Sequence, residues 1–340
     1  MTYRRIALSC IAILLWQSAG LVEGQQVRHL PEVLPASEAF AEHQIDFLEA
    51  PDLQSDPFLP QQWLEPASPA NPDRPPDARD GMFQKLTFRD TWLAGIGGDD
   101  SFGINDVELS TVLALPIPSR DFPLVVTPGF AVRYLDGPQV SDLPSRVYDA
   151  YTQFRWFRRY TPRWASDLAV SPGVYSDFEM GNDEALRITG HGIAIFDWTP
   201  TTRLAFGVAY LDRDDLRMLP AGGLIWKPND EWEFRLVAPR PEIARRVYWS
   251  GFTGDRVQDW LYVAGEYGGG TWAIRRADGE PDTFTYSDFR ALLGIQRKAI
   301  GSLDGLVEVG YVFGREIEYA SPTADVKPSD TILLRAGLTY

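Results

Sequence analysis

The sequence has a single cysteine, only three histidines and no long apolar run, and each shortage excludes a class of protein. Because Cys10 lies near the N-terminus, the remainder of the chain has no disulfide framework, thiol nucleophile or cysteine-ligated metal. No segment supplies the roughly 18 to 20 continuous apolar residues of a transmembrane helix. A formal net charge of −15 argues against binding to nucleic acid. We expect no metal and no cofactor.

Residues 1–24 have the features of a secretory signal peptide. Two arginines precede a short apolar core, Ile6 to Trp16, and small residues come after it, with cleavage positions after Gly20 and Gly24. This core is too short to cross a membrane as a helix. The pattern predicts an exported protein.

Residues 25–80 differ in composition from the rest of the chain. They contain ten prolines and eleven acidic residues against three basic ones. Such a segment cannot bury enough apolar surface to offset the entropy lost on ordering, so we expect a largely disordered, acidic periplasmic linker. The alternative is a docking segment in which Phe58 and Trp63 bind a periplasmic partner or plug a barrel.

From residue 82 onward, apolar residues alternate with polar or small ones, which is the period of a β-strand. In one clear case, Leu204, Phe206 and Val208 alternate with Arg203 and Ala205. The pattern predicts fourteen strands, at 83–93, 103–115, 123–134, 146–158, 164–178, 186–198, 202–211, 218–227, 231–238, 243–250, 259–274, 284–297, 304–318 and 331–340.

The segments 218–227 and 243–250 show the weakest alternation, so twelve strands are the alternative. Many of the predicted strands exceed the usual five or six residues and match the nine to eleven tilted residues that cross an outer membrane. Short and long connections alternate along the chain, and only the connection 239–242 (Pro-Arg-Pro-Glu) breaks this order. The sequence therefore predicts an all-β fold over residues 81–340, an antiparallel up-and-down transmembrane β-barrel of about 12–14 strands.

Tryptophans collect beside the short connections. An indole at a membrane–water interface keeps its ring in an apolar layer and its N–H in contact with water. In a soluble β-sandwich the same residues would instead form the core. The expected aromatic girdle consists of Trp156, Trp164, Trp198, Trp226, Trp232 and Trp249.

If the alternate positions that carry apolar residues face lipid on each strand, the positions between them face the lumen. A barrel of 12–14 strands is narrower than an open pore of 16–18 strands, so ion pairs across the lumen would close much of it. The predicted lumen-lining residues are Arg133, Arg155, Asp167, Arg187, His191, Arg203, Glu233, Arg235, Asp288, Arg290, Glu308 and Arg335.

The last strand carries Ile332, Leu334 and Leu338 on one face and ends with Tyr340. This strand resembles the closing strand of bacterial outer-membrane β-barrel proteins. The signal peptide, the rhythm of strands and loops and the Trp placement are also similar to those proteins, in particular to a group known only as domains of unknown function. The resemblance implies a location in the cell outer membrane, contact with its lipid, and recognition of the terminal strand by the barrel-insertion machinery.

We consider four functions. The first is a narrow channel or passive transporter for small solutes or ions. The second is an outer-membrane lipid-modifying enzyme using His191. We expect no enzymatic activity, because His191 shares the lumen parity and the chain has no Gly-x-Ser-x-Gly motif. The third is a soluble exported β-sheet protein that binds carbohydrate through its tryptophans, and the fourth is a structural barrel anchored through residues 25–80.

We interpret the acidic stretch Asp212–Asp215 as a solvated loop.

Overall fold

The computed structural model describes residues 81–98, 100–119, 122–138, 142–179, 183–250, 257–299 and 302–340. In these ranges the chain forms fourteen antiparallel strands that close into one barrel, and a single turn of 3₁₀ helix at Asp183–Ala185. The predicted signal peptide and linker, residues 1–80, lie outside the described residues.

The fourteen predicted strands are confirmed, including the two with the weakest alternation, and consecutive strands are neighbours around the barrel. Their bounds are β1 Phe83–Leu93, β2 Gly103–Pro118, β3 Pro123–Asp136, β4 Arg146–Arg159, β5 Trp164–Ser176, β6 Leu186–Thr199, β7 Thr202–Tyr210, β8 Met218–Asn229, β9 Trp232–Ala238, β10 Glu242–Ser250, β11 Val257–Arg275, β12 Pro281–Ala299, β13 Asp304–Tyr319 and β14 Thr331–Thr339.

The first and last strands close the barrel. β1 pairs with β14 from Thr87 opposite Thr339 to Leu93 opposite Leu333. The amides of Leu86 and Tyr340 each donate a 2.9 Å hydrogen bond to the other residue's carbonyl. Closure gives every strand a neighbour on both edges, which is the condition for a β-sheet in lipid. No helix in the described ranges is long and apolar enough to span a membrane.

The barrel is apolar outside and polar inside. On β7, Phe206 and Val208 point outward and are 48% and 52% exposed, whereas Ala205 and Ala209 point inward and are buried. A soluble protein would show the reverse order. We call the end with the β1–β2 and β3–β4 connections the loop end, and the end with Tyr340 and the β2–β3 connection the turn end.

The β11–β12 hairpin leans inward across the loop end. Both strands have 19 residues, more than any other strand. Gly269 adopts a φ of 110°, in the region that favours glycine. Beyond it, Ala273 forms a bridge with Ser176 of β5 and the indole of Trp272 donates to Asp149 of β4 at 2.6 Å. The hairpin therefore covers part of the barrel mouth.

The β9–β10 hairpin is short and leaves a step in the barrel wall. Glu242, the first residue of β10, pairs with Ala264 in the middle of β11. Beyond this pair, residues 265–275 of β11 have no β10 partner, and residues 218–221 of β8 have no β9 partner. We call this step, between β8 and β11 above the hairpin, the wall notch.

The short hairpin is lower than the apolar band of an outer-membrane barrel. The seven residues of β9 span about 23 Å along the strand at about 3.3 Å per residue. A tilt of about 40° reduces this length to about 18 Å, which is less than the apolar band of about 25 Å around an outer-membrane barrel. In an outer membrane, a hairpin of this height would end within the apolar band.

We predict that Gly269→Ala destabilises the inward lean of the hairpin. An added Cβ would clash with the carbonyl oxygen of Tyr286, and the positive φ is strained for alanine, at a cost of roughly 1–3 kcal/mol. The barrel should unfold at a lower temperature in detergent, followed by gel mobility. Gly98→Ala, where the added carbon meets no atom within 4 Å, is the matched control and should melt like the parent. Equal melting of both variants would contradict the prediction.

Candidate functional site: the ion-paired barrel interior

The structure places all twelve predicted lumen-lining side chains on the inner face of the barrel. Nine of them are buried, namely Arg155, Asp167, His191, Arg203, Glu233, Arg235, Asp288, Glu308 and Arg335. The other three, Arg133, Arg187 and Arg290, line a cavity inside the barrel. The inner face is therefore occupied by charged side chains along most of the barrel's circumference.

The carboxylate of Glu266 on β11 is surrounded by three arginines. Arg290 of β12 donates to Oε1 at 2.6 Å and Arg240, between β9 and β10, donates to Oε2 at 2.8 Å. Arg335 of β14 reaches both oxygens, at 2.9 and 3.0 Å. The Glu266 carboxylate thus links arginines from β12, from β14 and from the connection between β9 and β10.

Glu308 on β13 shares two of these arginines. It accepts from Arg240 at 2.6 Å and from Arg335 at 2.7 Å, and the hydroxyl of Tyr262 donates to it at 2.6 Å. Its side chain is fully buried. We call Glu266, Glu308, Arg240, Arg290 and Arg335 the central network.

The central network extends to the loop end through Asp288. Arg290 donates to both oxygens of Asp288, at 2.7 and 3.1 Å, and Tyr286 donates to it at 2.7 Å. Arg315 donates to the Tyr286 hydroxyl at 2.9 Å and to the Phe102 carbonyl at 2.7 Å. Charged hydrogen bonds therefore run from the barrel middle to the β1–β2 loop.

A second group of ion pairs lies on the β1–β4 side. Arg133 bonds Asp106 at 3.0 Å and Asp149 at 3.1 Å, and its guanidinium lies 4.8 Å from the centre of the Trp272 ring. Because Trp272 also donates to Asp149, this carboxylate links the leaning hairpin to the opposite wall, as Asp177 does through the amide of Arg275.

His191 belongs to a third group. Arg155 forms a two-pronged pair with Asp167, at 2.7 and 2.9 Å, and His191 Nε2 lies 3.4 Å from the second oxygen of Asp167. All three side chains are buried. Asp167 therefore neutralises a buried arginine and orients an inward histidine.

These groups place paired charges in the barrel interior. Charged side chains can be buried only when paired and hydrogen-bonded, because taking an isolated ion out of water costs several kcal/mol. Toward the turn end the interior is packed with larger side chains, including the fully buried rings of Trp260 and Tyr262. The barrel is therefore not an open aqueous tube.

A cavity of about 280 Å³ remains in the middle and toward the loop end. Its lining combines apolar side chains, such as Leu93, Ile104 and Val125, with seven arginines and four carboxylates. Arg290, Arg335 and Glu266 of the central network form part of this lining. The volume is close to the lower limit of about 300 Å³ for small-molecule pockets.

The stretch Asp212–Asp215 is a loop, as interpreted, with Asp214 exposed, but it is not solvated throughout. Arg213 is buried and donates to the carbonyls of Gly268 at 3.3 Å and Tyr286 at 3.1 Å. It also forms a two-pronged pair with Asp215 at 3.0 Å. The β7–β8 loop thus folds into the barrel, because one arginine finds backbone acceptors on the leaning hairpin.

The predicted girdle residues lie on the outer surface. Trp156, Trp164, Trp198, Trp226 and Trp249 are between 41% and 62% exposed, and Trp232 is partly buried by stacking on Phe234. Trp260, which also lies near a short connection, points inward instead. On the last strand Ile332, Leu334 and Tyr340 are exposed, and Leu338 is partly exposed. The role of these residues as a girdle at the edge of a membrane stays a prediction.

Sequence reasoning missed the roles of Arg240 and Arg213. Both lie in segments interpreted as connections, where alternation gives no direction for a side chain. Arg240 stands in the one connection that broke the short–long order, and this irregularity was the available signal. Glu266 has inward parity, but its position beside three arginines depends on register between strands and on the leaning hairpin.

The family model described as "Domain of unknown function (DUF6268)" matches residues 138–325, more than half of the 340-residue chain. No curated protein sequence matches this chain. Among solved structures, the chain is similar to a deltaS2 mutant of TodX, described as a monoaromatic hydrocarbon channel, at 10% identity and a TM-score of 0.36, covering 79% of this chain and 92% of that one. It is also similar to the outer membrane protein Omp33 of Acinetobacter baumannii, at 9% identity and a TM-score of 0.27, covering 76% and 98%. At these scores the neighbours carry no argument about function.

We predict that Glu266→Gln strongly destabilises the barrel. The neutral amide leaves three arginines without one of their carboxylates, and breaking a buried ion pair costs roughly 3–5 kcal/mol. The midpoint of urea unfolding in lipid vesicles should fall. Lys327→Gln is the matched control, because it removes an exposed ion pair with Glu316 that contributes at most about 1 kcal/mol. Equal midpoints would show that the central network does not hold the barrel together.

Proposed function

We propose that this chain, which belongs to the DUF6268 family, is an outer-membrane β-barrel that admits small solutes through a narrow, largely occluded interior. The observation that carries the proposal is the inverted distribution of side chains around a closed wall. Apolar groups face outward, and ion-paired groups surround a cavity. In this proposal the turn end faces the periplasm, because outer-membrane barrels have their short turns on that side.

The outer surface supports a membrane location. Large apolar side chains such as Leu168, Phe206, Leu261 and Leu293 are each more than 40% exposed. Soluble monomers rarely expose a continuous apolar belt, because its contact with water is unfavourable. Exposed tryptophans near the turn end suit the interface between lipid and water.

The interior supports slow passage and not free diffusion. The central network and the packed turn end leave no wide aqueous path among the described residues. A solute smaller than the cavity of about 280 Å³ can be held there, and its passage requires side chains to move. His191 is buried inside the barrel beside Asp167, away from the lipid-facing surface, and the proposal gives it no catalytic role.

The proposal predicts low single-channel conductance for the refolded parent protein. The double variant Trp260→Ala, Tyr262→Ala removes two buried rings from the turn end and should give larger, stable conductance steps in a planar bilayer. Its matched control is Tyr248→Ala, Trp249→Ala, which removes two aromatic side chains that are about 50% exposed on the outer surface. The control should conduct like the parent.

Two results would contradict this function. Conductance of the parent comparable to large open porins would show that the interior is not occluded. An unchanged, near-zero conductance of the Trp260 and Tyr262 double variant, with a folded barrel, would show that no path runs through the turn end.

A further inference from the structure

The wall notch and the interior cavity meet. The cavity is bounded by Leu219 of β8, by Pro239 at the tip of the β9–β10 hairpin and by Tyr267 and Gly269 of β11. These residues come from the three elements that border the notch. On the side that faces the notch, the cavity is therefore closed by side chains. On its other sides it is closed by the paired strands of the barrel wall.

Side chains and the β7–β8 loop close the notch. Leu216, Leu219 and Tyr267 pack on the buried apolar cluster that includes Leu211. The Tyr267 hydroxyl donates to Asp215 at 2.9 Å. We call this contact between the β7–β8 loop, β8 and β11 the seam. The seam can separate by side-chain and loop movement, whereas separating two paired strands would break a row of backbone hydrogen bonds in lipid.

Arg213 is the main polar link across this seam. Its guanidinium joins the β7–β8 loop to the carbonyls of Gly268 and Tyr286 and lies 4.9 Å from the centre of the Tyr267 ring. The loop itself is anchored on β6, where the Asp212 carboxylate accepts from the Ile188 amide and the Asp212 carbonyl accepts from Arg187. Loss of the Arg213 contacts would loosen the seam, leaving the Tyr267–Asp215 hydrogen bond, without detaching the loop from β6.

The outer surface beside the notch is a groove. Leu236, Ile243, Val263 and Leu293 line it, and Pro241 and Gly265 lie at its edge next to the notch. A molecule dissolved in the outer leaflet would meet this apolar groove before it meets the seam.

We propose that the wall notch is a lateral passage between the lipid bilayer and the interior cavity, closed in this structure by Arg213, Leu219 and Tyr267, and that it admits a small, mainly apolar molecule carrying a polar group. The inference rests on the proposed function and specifies its solute class. The molecule is small because the cavity is about 280 Å³. It is mainly apolar because it enters from lipid, and the arginines and carboxylates of the cavity provide partners for one polar group.

The test labels a cysteine inside the cavity from two directions. In a Cys10→Ser background, Ala131→Cys places a thiol on β3 at a buried, cavity-lining position. Vesicles containing the full-length barrel are treated with hexyl maleimide dissolved in the lipid, or with a sulfonated maleimide confined to water. Ala205→Cys, buried on the inner face of β7 but outside the cavity lining, controls for non-specific labelling.

The seam is loosened by Arg213→Met and compared with Arg217→Met, an exposed arginine of the same loop. We expect the lipid-borne reagent to label Ala131→Cys faster than the water-borne one. Arg213→Met should raise the lipid-borne rate about tenfold or more, as expected when hydrogen bonds of a buried charged group are removed from the closed state. Arg217→Met should leave the rate unchanged.

Labelling by the water-borne reagent alone, or equal lipid-borne rates in the two arginine variants, would overturn the lateral passage. If Arg213→Met does not fold, Tyr267→Ala loosens the same seam from β11 and is read in the same way. Failure of the proposed function looks different: the parent would be absent from the membrane fraction and would show no heat-dependent mobility in SDS, which overturns both proposals.

Discussion

The structure depends on one constraint, that a strand in lipid needs hydrogen-bond partners along both edges. Pairing of β1 with β14 meets this condition for the barrel as a whole. The condition fails where the β9–β10 hairpin ends at the level of Ala264, and the consequences are visible around that point. β11 leans inward and reaches β5, the β7–β8 loop folds into the barrel, and Arg213 supplies donors to carbonyls of the exposed hairpin.

The same constraint explains why the interior is charged. With the outer face given to lipid, the polar residues of each strand must share a confined space, and only mutual pairing makes that burial tolerable. Glu266 and Glu308 accept from three arginines in total, and these come from β12, β14 and the tip of the short hairpin. The central network thus fixes the hairpin that creates the notch, so the proposed occlusion and the proposed lateral passage depend on the same side chains.

Alternation of residue type was sufficient to limit the number of strands to 12–14, to locate each strand, and to predict their order and the face that points outward. The period of two is a local property, so residues such as Phe206 and Arg335 could be assigned to a face from their neighbours alone. The notch could not be predicted, because it depends on the register between β10 and β11, which local patterns do not contain. Arg213 and Arg240 show the same limit: each stands in a connection, and its partner lies on a strand distant in sequence.

The most direct test of the membrane barrel is the mobility of the membrane-extracted protein in SDS, with and without boiling. A closed barrel joined by β1 and β14 and held inside by buried ion pairs should resist SDS at room temperature. The unheated protein from the outer-membrane fraction should therefore run at a different position from the boiled one. Identical mobility, together with recovery in the soluble fraction, would contradict the membrane barrel on which the occluded pore and the lateral passage both rest.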